Sequence, residues 1–168
     1  MAVNEFQKYL LILSEDDAYR DIANGFANHF AVAYQKIHIP SPAGGWGKLL
    51  KLFSKECVSD VRHHKGCHVL LLLDFDGRPE HYSGKISRSI PTDIKNRVFV
   101  LGCMDEAENI KRELGPGRFE AIGEKLAESC YDDAYAGPDG PWLCPQLQHN
   151  RVELDRLAAA VRPFLFSA

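Results

Sequence analysis

No apolar run in this 168-residue chain approaches the roughly 20 residues that cross a bilayer as a helix. Nor does its first segment, MAVNEFQKYL, join a basic stretch to an apolar one, so neither a membrane span nor a secretory signal is expected. Cysteine is sparse: Cys57, Cys67, Cys103, Cys130 and Cys144 are odd in number and scattered. A disulfide framework is denser and usually even, so the expected setting is a reducing cytoplasm. Internal repeats are missing, and no linker is long enough to divide the chain, which reads as one domain over 1–168. An excess of one charge is missing too. The 20 Lys and Arg against 23 Asp and Glu give a net charge of −3, too little for the whole molecule to be a nonspecific nucleic-acid binder. What remains, 45% apolar and 26% charged, is the composition of an ordinary globular protein.

The balanced total conceals a pattern. Residues 1–47 carry a net charge of −2, residues 48–97 of +4 and residues 98–168 of −5. The middle segment also holds His63, His64, His68 and His81. A locally basic surface attracts a polyanion even on an acidic chain; the plainer reading is a set of solvated helix faces.

Apolar periodicity organises the chain. Tyr9-Leu10-Leu11-Ile12-Leu13-Ser14 is a short continuous run, as expected of a strand buried on both faces in a parallel sheet. Helical spacing then runs from Asp16 to Phe30, with Asp16 or Ser14 as its cap. A second strand is expected over Ala31–Ile39. A glycine loop, Ala43-Gly44-Gly45-Trp46-Gly47, precedes a helix with Leu49, Leu52, Phe53, Cys57 and Val61 inward. His68 to Leu73 predicts a central strand and Arg97 to Gly102 a fourth, with partly helical polar sequence over 79–95 between them. Further helices are predicted from Glu106 to Leu114, Phe119 to Cys130 and Val152 to Phe166, with Asn150 as the last N-cap. The alternation predicts an α/β fold: an open, mostly parallel four-stranded sheet flanked by helices, Rossmann-like, with a helical extension over about 103–168.

Ligands of such sheets sit beyond the carboxyl ends of the strands. There the chain places Glu15-Asp16-Asp17 after the first strand, and Asp74 and Asp76 after the third. If those strands are neighbours, three carboxylates converge and raise one another's pKa. A divalent cation relieves the repulsion, and hard oxygen ligands suit Mg²⁺ or Mn²⁺. The competing reading is that acids simply begin helices. It fits Asp16 and Asp17, and fits Asp74 and Asp76 less well, because Gly77 and Pro79 follow at once.

These residues resemble the Toprim family of topoisomerases, bacterial primases and small or ATPase-associated nucleases. Its pattern is a Glu closing the first strand and a DxD closing the third. Here Leu11-Ile12-Leu13-Ser14-Glu15 and Leu72-Leu73-Asp74-Phe75-Asp76 match it, within about residues 8–102. The resemblance implies that Asp74 and Asp76 hold Mg²⁺ and that Glu15 is a ligand or moves a proton. It also implies cleavage of DNA or RNA, by a small stand-alone nuclease-like protein or by a subunit working beside an ATPase. Asp16 stands where many members carry Gly, and Gly77-Arg78 where some carry a further acid. The same acidic opening also resembles a response-regulator receiver domain, which would make Asp74 a phosphoacceptor. Against it, Leu101-Gly102-Cys103 offers no Ser or Thr switch residue. A third alternative is a catalytically inactive interaction protein.

Other motifs are weaker. Pro42-Ala43-Gly44-Gly45-Trp46-Gly47-Lys48 fails the P-loop pattern at both ends. Gly44, Gly45, Lys48 and Lys51 are nevertheless expected to contact a backbone phosphate, and Trp46 to stack on a base or anchor packing. Lys85, Arg88 and Lys95 are candidates to neutralise a transition-state phosphate. Cys57, His63, His64, Cys67 and His68 do not have zinc-site spacing, and no cysteine lies at a nucleophile turn. His149 is a candidate to reach the sheet edge if the last helix packs back.

Overall fold

All six residues of the most apolar strand are buried, as cover on both faces requires. That strand lies inside the sheet of a computed structural model that describes residues 7–132 and 137–166. The sheet is open and wholly parallel, formed by β1 (Tyr9–Ser14), β2 (Ile37–His38), β3 (Cys67–Leu72) and β4 (Val98–Leu101) in the order β2-β1-β3-β4. β1 pairs with β3 along its whole length, from Tyr9 opposite Cys67 to Ser14 opposite Leu72. The first and third strands are therefore the neighbours that the acidic motifs require.

Seven α-helices are described: α1 (Asp17–Ala27), α2 (Trp46–Leu52), α3 (Val58–His63), α4 (Pro79–Ser89), α5 (Ala107–Leu114), α6 (Phe119–Tyr131) and α7 (Arg151–Leu165). Alternation along the strands sorts them into two layers. Leu10, Ile12, Leu70, Leu72 and Leu101 share one core with α1, α5, α6 and α7. Leu13, Val69, Leu71, Leu73 and Val98 share the other with α2, α3 and α4. The carboxyl-terminal helices thus complete the layer that α1 begins. Among the described residues no helix is long and apolar enough to cross a membrane.

Local sequence explains most elements. Asp16 caps α1 by accepting the Tyr19 N–H at 3.2 Å. Leu154, Leu157, Ala158, Val161 and Leu165, read as inward from their spacing, are all buried. Leu49, Phe53, Cys57 and Val61 are also buried, but on a segment that is not one α-helix. A π-helical turn over Phe53–Cys57 joins α2 to α3. The wider turn suits an apolar repeat of four, which drifts around an ordinary helix of 3.6 residues per turn.

Two expectations are corrected. The second strand shrinks to Ile37–His38. The chain before it turns toward the end of α7, where the Ala33 N–H donates to the Leu165 carbonyl at 2.7 Å and Val32 bridges Phe166. Asn150 occupies the N-cap position of α7 without capping it. Its amide instead accepts the Gly102 N–H at 3.2 Å and donates to the Gly102 carbonyl at 2.8 Å, as a neighbouring strand would. Arg156 donates to the carbonyls of Lys95 and Val98 at 2.8 and 2.6 Å. The start of α7 therefore satisfies the open edge beside β4, a vulnerable part of any sheet.

Helices α1 and α6 cross in close contact. A Cβ at Gly25 would lie 1.9 Å from the Glu120 carbonyl oxygen, and one at Gly123 2.0 Å from that of Ile22. The two backbones meet where neither carries a side chain. Gly25→Ala and Gly123→Ala are each expected to destabilise the protein by about 1–3 kcal/mol. The check is a lower urea midpoint at unchanged slope; wild-type midpoints for both would contradict the close crossing.

Candidate functional site

Glu15 and Asp74 leave the sheet beside each other because β1 and β3 are paired to their ends. The Glu15 N–H donates to the Leu72 carbonyl at 2.9 Å. In return Oε2 of Glu15 accepts the Asp74 N–H at 2.8 Å. By alternation Glu15 continues the Leu11–Leu13 face toward α2, whereas Asp74 continues the Leu70–Leu72 face toward α1. The surroundings agree: the Trp46 N–H at the start of α2 helps to lower the Glu15 pKa, and the Tyr19 hydroxyl of α1 donates to Oδ1 of Asp74. The two carboxylates therefore reach the strand ends from opposite faces of the sheet.

Asp76 behaves differently. Beyond β3 the chain keeps bonding toward β4: the N–H groups of Leu73, Phe75 and Gly77 donate to the carbonyls of Leu101, Cys103 and Met104 at 3.2, 3.0 and 2.7 Å. Phe75 is buried in the core of the α2–α4 layer. Asp76 then adopts a left-handed backbone, φ 48°, followed by Gly77 at φ 72°. Asp tolerates this conformation better than most residues, and it leaves Asp76 exposed. The expected trio is thus only partly assembled. Glu15 and Asp74 are joined, Asp76 stands on the turn, and among the described residues no group of three or more His, Cys, Asp or Glu side chains forms a metal-holding cluster.

The electrostatics are those of crowded acids. Burial raises the Asp74 pKa to about 7, the charges of Glu15, Asp16 and Asp76 add to the rise, and the Tyr19 hydroxyl opposes it. Burial also raises Glu15; the Asp74 N–H opposes this, and Asp16 and Asp76 reinforce it. Among the described residues no lysine or arginine forms an ion pair with Glu15, Asp16, Asp74 or Asp76. Hard oxygens with unneutralised charge fit Mg²⁺, which commonly takes one or two carboxylates and keeps several waters. Glu15 and Asp74 bring two such carboxylates to adjoining strand ends.

The glycine loop serves Glu15 rather than a phosphate. The N–H groups of Gly44 and Gly45 donate to the Glu15 carbonyl at 2.8 and 3.1 Å, and that of Ala43 to Ser14 at 2.9 Å. These amides are therefore not free to cradle an anion. Lys48 and Lys51 remain exposed on α2, with the Lys48 side chain over Gly44. Trp46 packs edge-on against Tyr82 at 5.6 Å, and the Lys85 ammonium lies 4.4 Å from the Trp46 ring. Arg88 is exposed on α4.

Lys95 lies elsewhere, in a groove of about 710 Å³ along the β4 edge with Phe75, Ile90, Val100 and His149. His149 does pack back, edge-on to Phe75 at 5.1 Å. The cysteines are free thiols, and burial pushes Cys57 up to about 11 and Cys130 and Cys144 up to about 12, away from nucleophilic thiolates.

Two participants were invisible as site residues. Tyr19 reads as one more apolar position of α1, and no motif marks its hydroxyl. Asp105, three residues beyond Gly102, exchanges hydrogen bonds with the Gln146 amide at 3.0 and 2.9 Å and so anchors the loop after β4. Compared with known protein families, with curated proteins and with solved structures, the chain matches none.

Because the Asp74 pKa of about 7 lies above its ordinary 3.8, folding favours the protonated acid. That contribution is present below about pH 4 and lost as pH rises through 7. In metal-free buffer, Asp74→Asn should therefore gain stability relative to wild type as pH rises across this window. Urea unfolding at several pH values checks it, and a constant difference would contradict the raised pKa.

Proposed function

We propose that this chain is a small Toprim-like protein that cleaves phosphodiester bonds of DNA or RNA with Mg²⁺ or Mn²⁺. The observation that carries the reading is the junction of Glu15 and Asp74, unneutralised, at the adjoining carboxyl ends of two central parallel strands. This is where open α/β sheets bind ligands.

Glu15 and Asp74 would hold the cation, with the remaining positions left to water and a phosphate oxygen. Bound there, the ion supplies Lewis-acid stabilisation of the phosphoryl group and a more acidic water. The chain's own residues do the rest. Burial raises the Asp74 pKa to about 7, and a cation held there would favour its ionised form. The Asp74 N–H holds Oε2 of Glu15. Asp76, exposed on the turn, is the carboxylate open to substrate or to a substrate-borne water. Lys48 and Lys51 lie on the helix that begins beside Glu15, within the basic segment 48–97, where they draw a polyanion toward the acidic end. Action beside an ATPase rests on the resemblance alone, and action in a reducing cytoplasm on the sparse, scattered cysteines.

The test is Mn²⁺-dependent nicking of plasmid DNA, and cleavage of single-stranded RNA, by the full chain. Cleavage should vanish with chelator. It should fall about 100-fold or more in Asp74→Asn, since a metal-held phosphoryl group is worth several kcal/mol of barrier. Absence of cleavage on both substrates with either cation would overturn the reading. Acetyl-phosphate labelling of Asp74 without cleavage would replace it with a receiver-like role.

A further inference from the structure

Tyr19 is 2% exposed, and a buried hydroxyl must find its partners within the protein. It has two. The Cys103 N–H donates to its oxygen at 3.0 Å, and its own hydrogen goes to Oδ1 of Asp74. A backbone N–H only donates, and the phenol hydrogen goes to Oδ1 of Asp74, the acceptor left to it when that acid is ionised. Tyr19 is also held at its backbone, where its N–H donates to Asp16. Cys103 is held too, because its carbonyl accepts the Phe75 N–H at 3.0 Å. One phenol therefore links α1, the segment after β3 and the segment after β4. A phenylalanine would fill the same apolar volume, so packing does not account for the hydroxyl.

We infer that Tyr19 is the positioning residue of this site, its hydroxyl fixing one oxygen of Asp74 so that the other is presented to the cation. The inference rests on the reading of Glu15 and Asp74 as cation ligands. The terminal torsion of an aspartate is broad, and an acid free to turn about it does not offer an oxygen in one place. Mg²⁺ demands near-ideal octahedral geometry, so a ligand held in one orientation binds it better than a mobile one. Partners that orient ligating groups in this way typically change metal affinity 10–100-fold. Tyr19 touches neither substrate nor reacting atoms in this scheme; it acts through Asp74.

The experiment titrates Mn²⁺ alone into the metal-free full chain and counts bound ion by electron paramagnetic resonance. Four variants are compared with wild type: Tyr19→Phe, Asp74→Glu, Asp74→Asn and Ile22→Val. Tyr19→Phe removes only the hydroxyl and is expected to weaken Mn²⁺ binding roughly 10–100-fold. Asp74→Glu keeps the charge but misplaces both oxygens relative to Tyr19; it is expected to bind as weakly and serves even if Tyr19→Phe fails to fold. Ile22→Val thins the packing of the same helix without touching the hydroxyl, and should bind Mn²⁺ like wild type. Asp74→Asn should lose binding.

Wild-type affinity in Tyr19→Phe or in Asp74→Glu, with binding lost in Asp74→Asn, overturns the positioning role and leaves the cation reading standing. An affinity loss in Ile22→Val equal to that in Tyr19→Phe also overturns it, as a purely structural effect. Wild-type affinity in Asp74→Asn overturns the cation reading itself.

Discussion

The parallel pairing of β1 with β3 is the constraint on which the site depends. Their register ends with Ser14 opposite Leu72, so the next residues of both strands must leave the sheet together. A shift of one residue in either strand would exchange every side chain between the two cores. It would also send Glu15 and Asp74 to the wrong faces. The unbroken burial of β3 makes such a slip costly, and the fidelity of the acidic junction is inherited from the hydrophobic core.

That junction is built against electrostatic preference. Burial and neighbouring acids both favour neutral carboxyls, and among the described residues no cationic side chain is paired with them. The backbone supplies the restraint. The Asp74 N–H holds Glu15, the Glu15 carbonyl organises the glycine loop, and the Tyr19 hydroxyl holds Asp74. These bonds hold the acids in place without a paired cationic side chain among the described residues. Under the proposed function this junction would take up an external positive charge, and Lys48 and Lys51, exposed on α2, would draw a polyanion toward it.

Particular residues show how far local pattern reaches. The inward face of α7 was legible because an amphipathic helix repeats its apolar positions every three or four residues. Asp16 as the cap of α1 was legible because capping depends on the next turn only. Asn150 was not: its amide serves Gly102, 48 residues away in sequence, and no local rule reports on such a partner. The glycine loop was read as an anion cradle, which its composition permits. Its amides are instead occupied by the Glu15 carbonyl, a choice made by the packing of that loop against β1. Asp76 illustrates a third limit, since simple alternation continued past the strand into a turn where a left-handed residue breaks it.

Composition and periodicity by themselves determined the α/β class, the two central strands, most helices and the acids that follow β1 and β3. These features depend on burial and on hydrogen bonds between near neighbours, which the order of residues encodes directly. Only the tertiary structure decided that the carboxyl-terminal helices share a layer with α1, that Glu15 and Asp74 approach from opposite faces, and that Tyr19 ties Asp74 to Cys103. Those outcomes depend on register, crossover and the meeting of distant backbones, and these are properties of the packed chain as a whole.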